Sequence, residues 1–317
     1  MEVIYGREKL ALVNKQQTGV GLGNFDGLHI GHMALINTLI AESKKSGLTS
    51  LVYTFSRHPE DVIAKENSTP IITTVQKKSE LLAKTSLDYL CFDEFDECFS
   101  KMEPEDFIKN IIIGTLNAKL AVVGFNYRFG HKGKGNPDML RDIGNKYNLK
   151  VEVIPPIKVN DEIVSSTLIR TNIFNGNMEK VSSLLGRNYS IRGKVGKGRH
   201  VGSQLGFPTA NIYPEKTIAL PKYGVYITVT KINGKEYQSI TNVGMAPTFG
   251  LQKKVSVETF IFDFNDDVYQ KEAEIFFLSQ LREERKFNSV EELVEQINKD
   301  ILEGKKYFSS KGEYTTE

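Results

Sequence analysis

The residues best suited to chemistry lie in one short run, Gly21-Leu22-Gly23-Asn24-Phe25-Asp26-Gly27-Leu28-His29-Ile30-Gly31-His32. It is glycine-dense, follows a β-like stretch at 19–22 and leads into a helical pattern over 33–46 that Gly47 closes. A strand, a tight turn and a helix start place backbone N–H groups and a helix dipole where phosphates bind. His29 and His32, at the helix start, lie on one side, and Gly31 between them leaves room for a ligand near the backbone. Such a pair suits hydrogen bonds to an α-phosphate whose charge grows in an in-line transfer. Two unrelated histidines, or a metal pair, are the competing readings of H-x-x-H by itself. The dinucleotide fingerprint G-x-G-x-x-G fails because Asp26 holds the third glycine position, and no G-x-x-x-x-G-K-[ST] loop occurs.

Other polar groups stand where ligands bind. Ser166, Thr167 and Arg170 open a helical segment, so hydroxyls, free N–H groups and a guanidinium converge on an anion. A capping hydroxyl with a surface arginine fits the same letters. Arg128, His131, Lys132 and Lys134 stand among Gly130, Gly133 and Gly135, as a mobile cationic loop that closes over triphosphate or as a solvated turn. His58, before Pro59, is an active-site group or a strand-end histidine. Asn126 lies just past a strand, where open α/β sheets bind ligands. Further on, Pro208-Thr209-Ala210-Asn211 offers a hydroxyl and an amide oxygen, hard donors suited to Mg²⁺. An Asx turn accounts for those four letters as well. Glu258 sits in a β-rich run of Val, Phe and Ile, either facing outward or buried and functional.

The elements that must position these groups differ between the two halves. Up to about Ser183, strands at 19–22, 50–55, 89–92, 120–123 and 151–154 alternate with helical segments near 33–46, 75–85 and 137–147. A further helix begins at Pro104, with Phe107, Ile108, Ile111 and Ile112 at core spacing. The alternation predicts a doubly wound parallel sheet covered on both faces. After Gly186 strands dominate, at 190–195, 224–231, 236–243, 255–264 and 272–278, with Asn233-Gly234 as a hairpin turn. One convincing helix remains, at 290–303. An antiparallel β-barrel with a terminal helix fits this texture. The expected division is 1–183, 184–308 and a polar, frayed tail at 309–317.

Composition sets the outer bounds. The chain has 317 residues, 40% hydrophobic and 25% charged, with a net charge of +2. That balance gives no global field for nucleic acid, so phosphate recognition must be local. No leader or membrane span is legible, and Cys91 and Cys98 match no metal or redox spacing. Free thiols in a cytoplasmic protein are the expectation.

The run Gly23-Asn24-Phe25-Asp26-Gly27-x-His29-x-Gly31-His32 resembles the HxGH nucleotidyltransferases, and in full the bacterial bifunctional riboflavin kinase/FAD synthetases. The resemblance continues through Thr54-Phe55 with His58-Pro59, Val122 to Gly130, Ser165-Ser166-Thr167-Leu168-Ile169-Arg170 and Leu184-Leu185-Gly186-Arg187. In the second half it includes Gly206-Phe207-Pro208-Thr209-Ala210-Asn211, Pro221 to Tyr226, Asn242-Val243-Gly244, Val257-Glu258-Thr259 and the segment around Arg282 and Phe287. It implies a nucleotidyltransferase domain that transfers adenylyl from ATP to FMN, and a riboflavin kinase-like barrel that phosphorylates riboflavin. ATP, FMN and riboflavin are then the partners, with Mg²⁺ as cofactor. His29, His32 and Arg170 become catalytic, with Gly23, Asn24, Gly31, Ser166, Thr167 and Arg128 toward ATP. Asp26, His58, Asn126 and Arg282 fall to the flavin side, Thr209 and Asn211 to the metal, and Glu258 to the base that takes the proton of the ribityl 5′-hydroxyl.

This chain departs from the pattern at Ser203, Ala246 and Gln270, where the family commonly has Arg, Arg and Gly. Each lost guanidinium removes charge-assisted phosphate contacts worth about 1.5–3 kcal/mol, and Lys197 and Arg199 are candidate substitutes. The expectation is secure FAD synthesis with a weaker kinase. The alternatives are a monofunctional FAD synthetase on a flavin-binding or scaffolding barrel, and a non-catalytic sensor.

Overall fold

The computed structural model describes residues 1–13, 16–57, 69–196, 205–214, 217–246 and 254–311. Packing divides the chain into two units, Met1–Ser166 and Thr167–Glu317. None of the described helices is long and apolar enough to cross a membrane.

The first unit is built on six strands, β1 (Glu2–Tyr5), β2 (Thr18–Leu22), β3 (Thr49–Phe55), β4 (Tyr89–Asp93), β5 (Ala118–Gly124) and β6 (Lys150–Ile154). Their order is β1-β4-β3-β2-β5-β6, and every neighbouring pair is parallel. The chain runs outward from β2 through β3 and β4, then crosses back to β5 and β6. That reversal beside β2 is the switch point at which open parallel sheets bind ligands. The doubly wound expectation is met. The edge strand β1 and the helix α1 (Arg7–Val13) behind it are additional elements.

Glycines in β2 decide how closely the next helix, α2 (Ile30–Lys45), can lie. A Cβ on Gly21 would stand 3.0 Å from Leu39 and 3.2 Å from Leu35, and one on Gly19 only 2.1 Å from the Ser43 hydroxyl. Bare backbone on that side brings α2 against β2, β3 and β5 and sets its N-terminus at the carboxyl end of β2. Val20, Leu22, Leu51 and Tyr53 point to the opposite core, which a second set of helices covers. That set is α4 (Glu97–Ser100), α5 (Pro104–Asp106) and α6 (Pro137–Asn145), whereas α3 (Val75–Ala83) packs with α2 on the other face. The helix expected from Pro104 continues as a π-helix over Phe107–Thr115, in which the Leu116 N–H reaches back to the Ile111 carbonyl at 2.8 Å. Its apolar face is the expected one, because Phe107, Ile108, Ile111 and Ile112 are all buried. A short hairpin, β7 (Lys158–Val159) and β8 (Glu162–Ile163), closes the unit through Asn160 and Asp161 at φ 48° and 64°.

The second unit opens with α7 (Ser166–Phe174) and α8 (Met178–Leu185). The division read from sequence lies at 183/184, whereas packing divides the chain at Ser166/Thr167. The difference is these helices: Met178, Val181, Leu184 and Leu185 are buried, and the Lys222 N–H donates to the Ile173 carbonyl at 3.2 Å. Six antiparallel strands then close a barrel: β9 (Tyr189–Gly196), β10 (Ala210–Ile212), β11 (Gly224–Ile232), β12 (Lys235–Ala246), β13 (Lys254–Ile261) and β14 (Glu272–Glu283). The circular order is β10-β13-β12-β11-β14-β9. Asn233 and Gly234 turn the β11–β12 hairpin at φ 52° and 78°, as the Asn-Gly pair predicts. The closing strand β10 carries no alternation signal in three residues.

The barrel interior is partly polar. Thr228, Thr230, Ser239, Thr241 and Thr259 are fully buried and bond one another at 2.7–3.3 Å, so the hydroxyls satisfy each other. Outside, Val225, Ile227, Ile240 and Phe262 form an apolar face with the terminal helix α9 (Val290–Lys311). That helix runs past the expected end at Glu303 and into the expected tail. Phe308, 3% exposed, anchors its last turns edge-on to Phe262.

Gly304 is where α9 lies closest to the barrel: a Cβ would meet Phe262 at 2.9 Å and Ile240 at 3.0 Å. Overpacking costs about 1–3 kcal/mol, against about 1 kcal/mol gained in helix propensity. Gly304→Ala is therefore expected to lose about 1 kcal/mol net, read as a lower midpoint in urea unfolding. An unchanged or raised midpoint would show that the contact tolerates a methyl group.

Candidate functional site

The loop after β2 carries the histidine pair at the switch point. His29 is the N-cap of α2, and its Nδ1 accepts the His32 backbone N–H at 3.2 Å. That bond makes Nδ1 an acceptor and leaves Nε2 as the N–H donor of the neutral ring. The two imidazoles stack with centroids 3.6 Å apart and planes 15° from parallel, and Phe25 meets His32 edge-on. Gly31 has a different use from the expected one. A Cβ there would stand 3.2 Å from the His29 ring, so the glycine makes room for the imidazole.

Three residues of the loop, Phe25, Gly27 and Leu28, hold φ of 48°, 89° and 41°. For the two that are not glycine this backbone costs about 1–3 kcal/mol each and persists only when surroundings impose it. The surroundings are specific. Asp26 is buried, and its Oδ1 accepts the N–H groups of Ile72 and Thr73 at 2.9 and 3.1 Å. The Asp26 carbonyl accepts the Ser166 hydroxyl at 2.8 Å, and the Asn24 carbonyl accepts Thr54 Oγ1 at 3.1 Å and Lys78 Nζ at 2.8 Å. Asp26 thus shapes the loop, and Asn24 stays exposed at its tip. Gly23 lies under the Phe25 ring. Lys78 escaped the sequence reading because Gln76-Lys77-Lys78-Ser79-Glu80 looks like a solvated helix face.

The remaining candidates of the first unit are spread more widely. Asn126 and Arg128 are exposed beyond the carboxyl end of β5, the neighbour of β2 at the switch point. The cationic stretch after them is a pinned turn. Phe129 is buried and bridges Gly135, the His131 N–H donates to the Met102 carbonyl at 2.7 Å, and Lys134 pairs with Glu103 at 3.3 Å. Pro104 lies 2.7 Å from where a Cβ on Gly130 would be, which fixes that glycine at φ 70°. Thr167 and Arg170 follow Ser166 in α7, the first exposed and the second half-buried. His58, Pro59, Lys197, Arg199 and Ser203 lie outside the described residues, as does the Ala246 side chain. The cysteines are free, and burial pushes the Cys91 thiol up to about 12.

In the second unit two cavities share one lining residue. A cavity of about 430 Å³ is lined by Gly196, Pro208, Thr209, Asn211, Asp267 and Tyr269. Another of about 280 Å³ lies between the barrel face and α9, lined by Thr209, Asn242, Glu258, Phe260, Arg285 and Phe287 among others. Among the described residues only Thr209 lines both. Register explains the rest: Asn211 on β10, Glu258 on β13 and Asn242 on β12 are direct cross-strand partners and so share one face. Glu258 accepts the Ser256 hydroxyl at 3.2 Å. The first cavity takes polar groups from Thr209, Asn211 and Asp267, and the rings of Phe207, Phe260 and Phe287 wall the second.

Arg282 lines the second cavity and is bound to Asp300 at its wall. Its Nε and Nη2 bond both oxygens of buried Asp300 at 2.8–3.0 Å, and Gln296 adds a donor at 2.7 Å. The guanidinium therefore ties α9 to β14 at the cavity wall. A signal for the partner existed: Asp300 interrupts the apolar stripe of Ile297 and Ile301.

The family model for FAD synthetase matches residues 12–168, and that for riboflavin kinase matches residues 185–308. The bifunctional riboflavin kinase/FMN adenylyltransferase of Buchnera aphidicola subsp. Schizaphis graminum is 37% identical over 312 residues, 98% of this chain and 99% of that protein. The protein of the same name from Bacillus subtilis is 35% identical over 316 residues, again 98% and 99% of the two chains. That of Escherichia coli is 29% identical over 310 residues, 97% and 98% of the chains. A crystal structure described as a macrolide-efflux protein from Streptococcus pneumoniae superposes with a TM-score of 0.86 at 30% identity, covering 96% of this chain and 99% of that one.

The Arg282–Asp300 tie is testable through stability. Arg282→Met strands a carboxylate that is 4% exposed, a loss of about 3–5 kcal/mol. Adding Asp300→Leu is expected to recover most of that loss in urea unfolding. No recovery in the double variant would mean that the arginine acts through packing alone.

Proposed function

Since the chain belongs to the family of bifunctional riboflavin kinase/FMN adenylyltransferases, we propose that its two reactions divide between the histidine stack of the first unit and the paired cavities of the second. The reactions are phosphorylation of riboflavin by ATP to FMN and adenylyl transfer from ATP to FMN, which gives FAD and pyrophosphate. The riboflavin kinase match over residues 185–308 favours this over the monofunctional alternative. The names of the curated relatives agree with both site chemistries, and the efflux description of the structural neighbour has no counterpart in them.

For adenylyl transfer, a phosphate oxygen of FMN attacks the α-phosphorus of ATP as the bond to the β-phosphate breaks. The His29 Nε2–H and the His32 ring meet the charge that grows on the α-phosphate, helped by the N-terminus of α2. Ser166, Thr167 and Arg170 are assigned to the pyrophosphate end from the motif alone, and Asn24, Asn126 and Arg128 position substrate. Gly23, Gly31 and Asp26 act by shaping the loop. His58 is proposed from the motif alone.

For the kinase, the observation that carries the assignment is that two cavities share Thr209 in their walls. ATP fits the larger cavity and riboflavin the aromatic one, with the phosphoryl group crossing at Thr209. Glu258 takes the proton of the ribityl 5′-hydroxyl as its oxygen attacks the γ-phosphorus and ADP leaves. Thr209 and Asn211 suit Mg²⁺: both offer neutral hard oxygens on the cavity wall, and Asn211 is only 7% exposed. Bound there, the ion supplies charge neutralisation of the phosphates. Arg282 serves the flavin cavity by holding α9 in place.

The test uses ATP and Mg²⁺ with riboflavin or FMN, and separates the flavins chromatographically. His32→Ala is expected to lower FAD formation about 10²–10³-fold and to spare FMN formation. Glu258→Gln is expected to lower FMN formation about 10²–10⁴-fold and to spare FAD formation from supplied FMN. Loss of both activities in either variant would overturn the division of labour.

A further inference from the structure

We propose that Lys78 is a positioning residue for adenylyl transfer, its ammonium holding the loop of residues 24–28, and through it the His29–His32 stack, in the working shape. The inference rests on the assignment of that stack to adenylyl transfer. Lys78 lies in α3, is 7% exposed, and donates to the Asn24 carbonyl at 2.8 Å. It borders a cleft of about 30 Å³ with Asn24, Asp26, Arg57 and Thr73. Among the described residues, the charged groups around that cleft are Asp26 of the loop, whose carboxylate attracts the ammonium, and exposed Arg57 just past β3. Asp26 and Lys78 thus hold the loop from two sides, one at the N–H groups of Ile72 and Thr73 and the other at the Asn24 carbonyl.

The energetics point to use rather than to stability. Burial lowers the Lys78 ammonium to about 8, against the attraction of Asp26. Below that pH the folded chain keeps a proton at a desolvation cost that an exposed lysine does not bear. As pH rises from about 8 toward the ordinary lysine value of 10.5, the folded chain releases the proton before the unfolded chain does. The Lys78 contribution to stability therefore improves over that window. If the charge is what holds the loop, FAD synthesis falls over the same window. Stability and activity move in opposite directions, which a purely structural lysine does not produce.

The experiment compares the full chain with Lys78→Met and Lys78→Arg, reading FAD from FMN, FMN from riboflavin, and thermal unfolding. Lys78→Met is expected to lose about 10²-fold in kcat for FAD synthesis, with kinase activity and melting temperature not lowered. In the wild type, FAD synthesis relative to kinase activity is expected to fall about tenfold per pH unit above about 8. Lys78→Arg, which keeps its charge, should move that limb upward. The inference fails if Lys78→Met keeps FAD synthesis within about twofold, since a tight positioning contact is worth more. It fails also if the melting temperature falls together with activity, or if the wild-type profile is flat to pH ~9.5, one unit and more past the ammonium's range. His32→Ala run alongside separates the two levels. If His32→Ala spares FAD synthesis, the site assignment is wrong; if it abolishes FAD while Lys78→Met does not, only the role of Lys78 is wrong.

Discussion

The first unit depends on a backbone that its own residues do not prefer. Phe25 and Leu28 sit at positive φ, and only tertiary partners keep them there: Asp26 on two N–H groups, Ser166 on the Asp26 carbonyl, Thr54 and Lys78 on the Asn24 carbonyl. Released from those partners, the loop would relax toward ordinary backbone and His29 would leave its cap position. The stacked imidazoles are thus a consequence of long-range hydrogen bonds. The glycines of β2 contribute from the other side, since without Gly19 and Gly21 the helix that carries His32 could not approach the sheet.

The barrel solves a different problem with a similar economy. A closed sheet has no free edge, and alternation along its strands gives it two usable faces. Inward, five hydroxyl side chains satisfy one another. Outward, part of the wall is apolar and carries α9, while the Asn211–Glu258–Asn242 row is polar. The Arg282–Asp300 pair holds the helix over the aromatic cavity. Pairing a charge with a buried carboxylate adds little net stability, and its value lies in fixing geometry.

Much of this was legible in the letters. Asn233-Gly234 announces its hairpin, Phe107 to Ile112 announce a buried face, and the G-N-F-D-G-x-H-x-G-H run announces the turn from β2 into α2. What escaped has physical reasons. A π-helix and an α-helix bury nearly the same apolar spacing over nine residues, so Phe107–Thr115 gave no sign of its wider ladder. β10 is three residues long and pairs only through closure of the barrel. Lys132 and Lys134 look mobile as letters, yet Phe129 and His131 anchor their turn to residues about thirty positions earlier.

By itself the sequence determined the classes of element, the two-part architecture and the family, because periodicity, turn residues and motif spacing are local properties. Tertiary structure alone decided which residues act by contact and which by holding others. Asp26 proved a loop anchor, Gly31 a seat for an imidazole, Arg282 a tie to Asp300, and Lys78 a buried partner of the catalytic loop. Those roles depend on who stands within 3 Å after folding, and partners 18 to 140 residues apart in the chain leave no periodic trace.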